Sequence, residues 1–76
     1  MDKQQVALGI LSKLSSVEPG AITPGMDLVG DLGIDSPKAL SLLVELEDAL
    51  GIEISDEDAA RMDTVGDIFD YVAKLS

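Results

Sequence analysis

Ser36-Pro37-Lys38-Ala39-Leu40-Ser41-Leu42-Leu43-Val44-Glu45-Leu46-Glu47-Asp48-Ala49-Leu50-Gly51 decides the fold of this chain. Its apolar residues recur at three and four, the period of a helix, and nowhere does apolar alternate cleanly with polar as a strand requires. Pro37 suits a first helical turn, where a missing N–H costs nothing, and Gly51 suits a C-terminal cap. A helix over Ser36–Leu50 is therefore predicted. Placed at about 100° per residue, Ala39, Leu42, Leu43, Leu46 and Leu50 gather into a core stripe. Leu40 and Val44 fall away from it toward the opposite side, with Pro37 beside them and with Ser41, Glu47 and Asp48 flanking. Either this second patch covers a neighbouring loop, or it is an exposed apolar strip rimmed by acids, which describes a protein-docking surface.

The same period continues outward. Val6, Ile10, Leu11 and Leu14 mark a helix from Asp2 to about Ser15. A short helix is expected over Asp56–Arg61, and Val65, Ile68, Phe69, Val72 and Leu75 mark one from Val65 to Leu75. Ser55 precedes Asp58, and Thr64 precedes Asp67, by the three residues of a capping box. Between the first two helices runs a long connection, Ser16 to Asp35, holding two of the prolines and four of the glycines. Loops of that length in small domains are often functional. Val17, Ile22, Leu28, Val29, Leu32 and Ile34 are expected to pin it to the core. The fold class is all-α: a four-helix bundle of three longer helices and one short one, with a long first loop, forming one domain over residues 1–76. Each helix is too short to stand alone in water, so packing must hold it.

Composition removes whole classes of function. Fifteen acids against five bases, with no histidine, give a net charge of −10. That argues against nucleic acid and anionic membrane surfaces and for steering toward basic partners. Residues 45 to 70 alone hold ten acids and one base, Arg61. This is either a solvated face or a docking field. No cysteine means no thiolate and no disulfide, and no histidine means no imidazole base or ligand. The acids Asp27, Asp31 and Asp35 do not form a calcium-binding loop of alternating ligands with a central glycine and a final glutamate, so no metal site is expected. No apolar run reaches the length of a membrane span. The chain reads as cytoplasmic and monomeric, and any reactive group must be a hydroxyl, a carboxylate, an amine or something brought from outside.

Ser36 stands at or beside a helix N-terminus, where free N–H groups and the positive end of the dipole favour an anion. On residue chemistry alone the simpler reading prevails, an ordinary N-cap followed by a first-turn proline, with Asp35 a cap or turn residue.

Asp27-Leu28, Asp31-Leu32-Gly33-Ile34-Asp35-Ser36, Leu42, Glu47-Asp48, Glu53-Ile54-Ser55-Asp56-Glu57 and Thr64-Val65-Gly66-Asp67-Ile68 together resemble an acyl carrier protein. The resemblance covers nearly the whole chain. It implies that Ser36 carries 4′-phosphopantetheine, installed from coenzyme A by a phosphopantetheinyl transferase, and that Asp35 helps present Ser36 to that enzyme and its metal ion. It implies a carrier rather than an enzyme. The cofactor's thiol is then the reactive group that the chain lacks, and acyl-loading and acyl-processing enzymes with basic patches act on the cargo. By the same resemblance Pro37, Leu40, Val44, Glu47 and Asp48 meet those partners, and Leu46, Ile54, Ala59, Met62, Ile68 and Tyr71 line an acyl cleft, although ordinary core packing explains them too. Pro37, Lys38 and Ser41 depart from the family's usual leucine and acids, which points to a specialised carrier with its own partner set within fatty-acid, polyketide or related lipid biosynthesis. The alternatives are a peptidyl or aminoacyl carrier and an acidic interaction module with no prosthetic group.

Overall fold

The computed structural model describes residues 2–75. The elements are α1 (Lys3–Ser15), a 3₁₀ turn (Pro19–Ala21), α2 (Ser36–Leu50), α3 (Asp56–Ala60) and α4 (Val65–Ala73). The all-α class and the division into three longer helices and one short one are as expected. α3 and α4 end one and two residues earlier than their apolar patterns suggested.

α1 packs against α2, α4 and the 3₁₀ turn. Its buried residues are Ala7 and Leu11, whereas Val6, Ile10 and Leu14 of the predicted stripe are only half-buried. A helix with neighbours on two sides brings its small residue to the closest approach, so Ala7 takes the central place. Ile34, Leu42, Leu46, Val65, Ile68 and Val72 complete the core from the other elements. Lys3 Nζ donates to the Leu75 carbonyl at 2.9 Å, tying the two ends of the described chain. The Lys13 ammonium pairs with Glu45, the one ion pair among the described residues.

The long loop is ordered by its own turns. Ile22, Leu28, Leu32 and Ile34 are buried as expected, but Val29 is 69% exposed. The correction has a geometric cause. Asp31 N–H and Leu32 N–H both donate to the Asp27 carbonyl, and Gly33 N–H donates to Val29. In such a coil Leu28 and Leu32 share the inner side and Val29 is turned out. Gly33, at φ +66°, reverses the chain at its end, a conformation that glycine adopts without steric cost.

The start of α4 shows why the loop cannot drift. Val65 N–H donates to the Met26 carbonyl at 3.0 Å and Gly66 N–H to Pro24 at 2.9 Å. The Asp63 and Thr64 N–H groups both donate to Asp67 Oδ2, and Asp67 N–H donates to Thr64 Oγ1. The loop and one capping box thus satisfy the orphan donors of the helix. A Cβ on Gly66 would lie 3.0 Å from the Pro24 carbonyl oxygen, which is why the loop can cross here. Ser55 provides only half of its predicted box, accepting from Asp58 N–H at 3.1 Å.

The N–H groups of Asp63 and Thr64 hold the Asp67 carboxyl below its ordinary value of 3.8. A depressed folded-state value means that this stabilisation is present above the ordinary pKa and disappears as pH falls through the folded one. Asp67→Asn is therefore expected to melt below the parent at pH 7, with the gap narrowing as the pH drops under 3.8. Paired melting curves from pH 7 to pH 2.5 check it.

Candidate functional site

Asp35, not Ser36, is the N-cap of α2. Its Oδ1 accepts Lys38 N–H at 3.2 Å, and its carbonyl accepts Ala39 N–H at 2.7 Å. Its own N–H donates to Gly33 at 3.1 Å, so the glycine turn and the cap form one unit. Ser36 becomes the first helical residue and Pro37 the second. This removes the reading of Ser36 as a cap. Its side chain is exposed, and its hydroxyl has no hydrogen-bond partner among the described residues. The helix dipole points its positive end at that oxygen, which suits a phosphate ester.

Along the outer face of α2, Leu40 is 64% and Val44 47% exposed, so they do not cover the loop. Pro37, Ser41 and Asp48 are exposed with them, and Ser41 Oγ donates to the Pro37 carbonyl at 3.3 Å. Glu47 is half-buried. Its Oε2 accepts Ile54 N–H at 2.8 Å and fastens the chain that leads into α3. Sequence reasoning missed that task, since nothing local announces a bond across seven residues.

The six residues expected around an acyl cleft divide. Leu46 and Ile68 are sealed at 1% exposure. Ile54, Ala59, Met62 and Tyr71 are half-buried. A pocket of about 210 Å³ opens on the α3–α4 side, where Met62 and Tyr71 meet Arg61, Lys74 and the acids Asp58, Asp67 and Asp70. Arg61 and Lys74 were not anticipated as neighbours; they lie on different elements with no shared motif. Burial, then the nearby Asp58 and Glu47 charges, push the Tyr71 hydroxyl above its ordinary value. It stays protonated throughout the physiological range. α3 contributes no buried residue. Among the described residues no cluster of acids suited to a metal ion occurs, and no helix is long and apolar enough to cross a membrane.

Residues 5–72 match the family described as "Phosphopantetheine attachment site". The chain belongs to the acyl carrier protein family, whose members are carriers rather than enzymes and hold 4′-phosphopantetheine covalently. It is 46% identical over 65 residues to the acyl carrier protein of Syntrophobacter fumaroxidans, covering 86% of this chain and 80% of that one. It is 42% identical over 66 residues to the meromycolate extension acyl carrier protein of Mycobacterium leprae, covering 87% of this chain but 57% of the relative. This chain thus spans little more than half of that relative's length. A solved structure of a candidate acyl carrier protein from Mycobacterium tuberculosis superposes with a TM-score of 0.89 at 35% identity, covering 99% of this chain and all of the other. The acyl carrier protein of Enterococcus faecalis does so at 0.78 and 34%, with both chains fully covered.

Proposed function

We propose that this chain carries acyl groups as thioesters on a 4′-phosphopantetheine arm joined to Ser36 Oγ, and passes them between enzymes of cytoplasmic lipid biosynthesis. The supporting observation is the exposed, unpartnered hydroxyl on the first residue of α2, held there by a cap that belongs to its neighbour. In the loading step the Ser36 oxygen forms a bond to the phosphorus next to pantetheine in coenzyme A. The bond from that phosphorus to the bridging oxygen breaks, adenosine 3′,5′-bisphosphate leaves, and the serine proton passes to a base on the transferase. When attached, the arm supplies the thiol on which the acyl group rides.

The chain's own residues present and steer. Asp35 fixes the serine turn through one carboxylate oxygen and leaves the other for the transferase's metal ion. Leu40 and Val44 offer the apolar contact, with Pro37 beside them. Asp48 and the acids of α3 draw basic surfaces, and Glu47 adds charge while holding Ile54. The uncharged Ser41 and cationic Lys38 make the start of this face less negative than its far end, which suits a dedicated partner set. The relatives named for meromycolate extension fit a specialised carrier.

Incubation with coenzyme A and a broad-specificity phosphopantetheinyl transferase tests the reading. Intact mass should rise by one arm, on the peptide containing Ser36. A protein that stays unmodified with several such transferases would overturn it.

The proposed cargo space adjoins the weakest element. α3 is five residues long and has no fully buried residue, so it opens at low cost. A long acyl chain bound between α2 and α3 is expected to change amide exchange across residues 55 to 63 relative to the unacylated holo form. Identical exchange in the two forms would count against that location.

A further inference from the structure

We propose that Val29 is a second apolar anchor for the enzyme that installs the arm, so that this enzyme grips Ser36 from the loop side as well as from α2. The inference rests on the carrier reading above. Three large apolar side chains are exposed among the described residues: Val29 at 69%, Leu40 at 64% and Val44 at 47%. All three lie between positions 29 and 44, with Ser36 in the middle. The docking strip of α2 accounts for two of them and leaves the most exposed unexplained.

Val29 is not a loose loop tip. Its carbonyl accepts Gly33 N–H at 3.1 Å, and the Gly33 carbonyl accepts the N–H of Asp35, the cap of α2, at 3.1 Å. Two hydrogen bonds therefore wire Val29 to the serine turn, and the buried Leu28 and Leu32 on either side hold its orientation outward. A preordered apolar side chain loses little freedom when a partner covers it. Asp27 and Asp31 of the same turn and Asp35 at its end are all exposed, so the complementary surface is a small apolar spot with basic side chains near it.

Reach selects the occupant. An enzyme acting on the thiol works an arm's length from Ser36 and has no need of the loop. The transferase must bring a phosphorus atom within bonding distance of the Ser36 oxygen, and so must cover what stands on both sides of it.

The test is steady-state arm transfer by a phosphopantetheinyl transferase with coenzyme A, comparing the parent with Val29→Thr, which keeps the branched shape and adds a hydroxyl, and Val29→Ile, which stays apolar. Val29→Thr is expected to raise KM for the carrier about fivefold with kcat within about twofold, the signature of lost binding that the ground and transition states share. Val29→Ile should keep the parental KM, and both variants should keep the parental melting temperature. Equal KM for Val29→Thr and a modified parent would overturn the loop-side anchor while leaving the carrier reading intact. A lower melting temperature in Val29→Thr would make Val29 structural and overturn it as well. A parent that accepts no arm would remove the carrier reading itself.

Discussion

Ser36→Ala is expected to take up no phosphopantetheine at all, yet to melt within about 3 °C of the parent, as surface changes outside special features usually cost under about 0.5 kcal/mol. The two halves of that result come from one structural fact. The cap of α2 is the Asp35 carboxylate on Lys38 N–H, and the Ser36 hydroxyl holds nothing together. Were Ser36 the cap, its loss would cost about 1 kcal/mol, or about 4–8 °C in a domain of this size. Intact mass and a melting curve on the same sample separate the possibilities. An arm found on Ser36→Ala would move the attachment to another hydroxyl. A large drop in melting temperature would return Ser36 to the role of a cap. An unmodified, fully folded variant leaves position 36 as a residue retained for attachment.

Much of this was legible in the chain. Pro37 and Gly51 bracket α2 at the bounds observed, since each is favoured at its position for a local backbone reason. The Thr64 and Asp67 pair forms the full capping box because both partners lie within one turn. The two-sided character of α2 was equally visible, and the exposure of Leu40 and Val44 follows from their angular distance from the core stripe. What escaped depended on contacts between distant segments. Val29 is as apolar as Leu28, and only the turn built on the Asp27 carbonyl decides which of them faces in. The choice of Ala7 over Val6 reflects helices packed on two sides of α1, which no single-helix pattern encodes. Nothing in the sequence around Gly66 announces its reason, which is the Pro24 carbonyl that passes beside it. At the site, the serine was found by its motif, while its freedom from capping duty emerged only from the geometry of Asp35.

Leu46→Ala tests whether the sealed core and the cargo space are the same place. Leu46 is 1% exposed, and a fully buried leucine cut to alanine costs about 2–5 kcal/mol. A domain of this length has only about 4–11 kcal/mol in total, so the unacylated variant should melt at least about 8 °C lower than the parent. The loss leaves an apolar hole in the core on the α2 side. If an acyl chain enters between α2 and α3, its methylenes can fill that hole, at about 0.8 kcal/mol for each CH₂ buried. Loading a medium-length chain onto the arm should then offset much of the Leu46→Ala deficit, with a gain clearly larger than acylation gives the parent. Leu11→Ala is the comparison, because Leu11 is equally buried but lies on α1, remote from α3 in the packing order. Its deficit should be the same with and without cargo. If acylation helps neither variant, Leu46 is core and nothing more, and the chain must lie elsewhere on the surface. If it helps both alike, the stabilisation is not local. Only rescue confined to Leu46→Ala would identify the interior wall against which the cargo packs, and would show that the sealed core at Leu46 can part along the helix that has no fully buried residue.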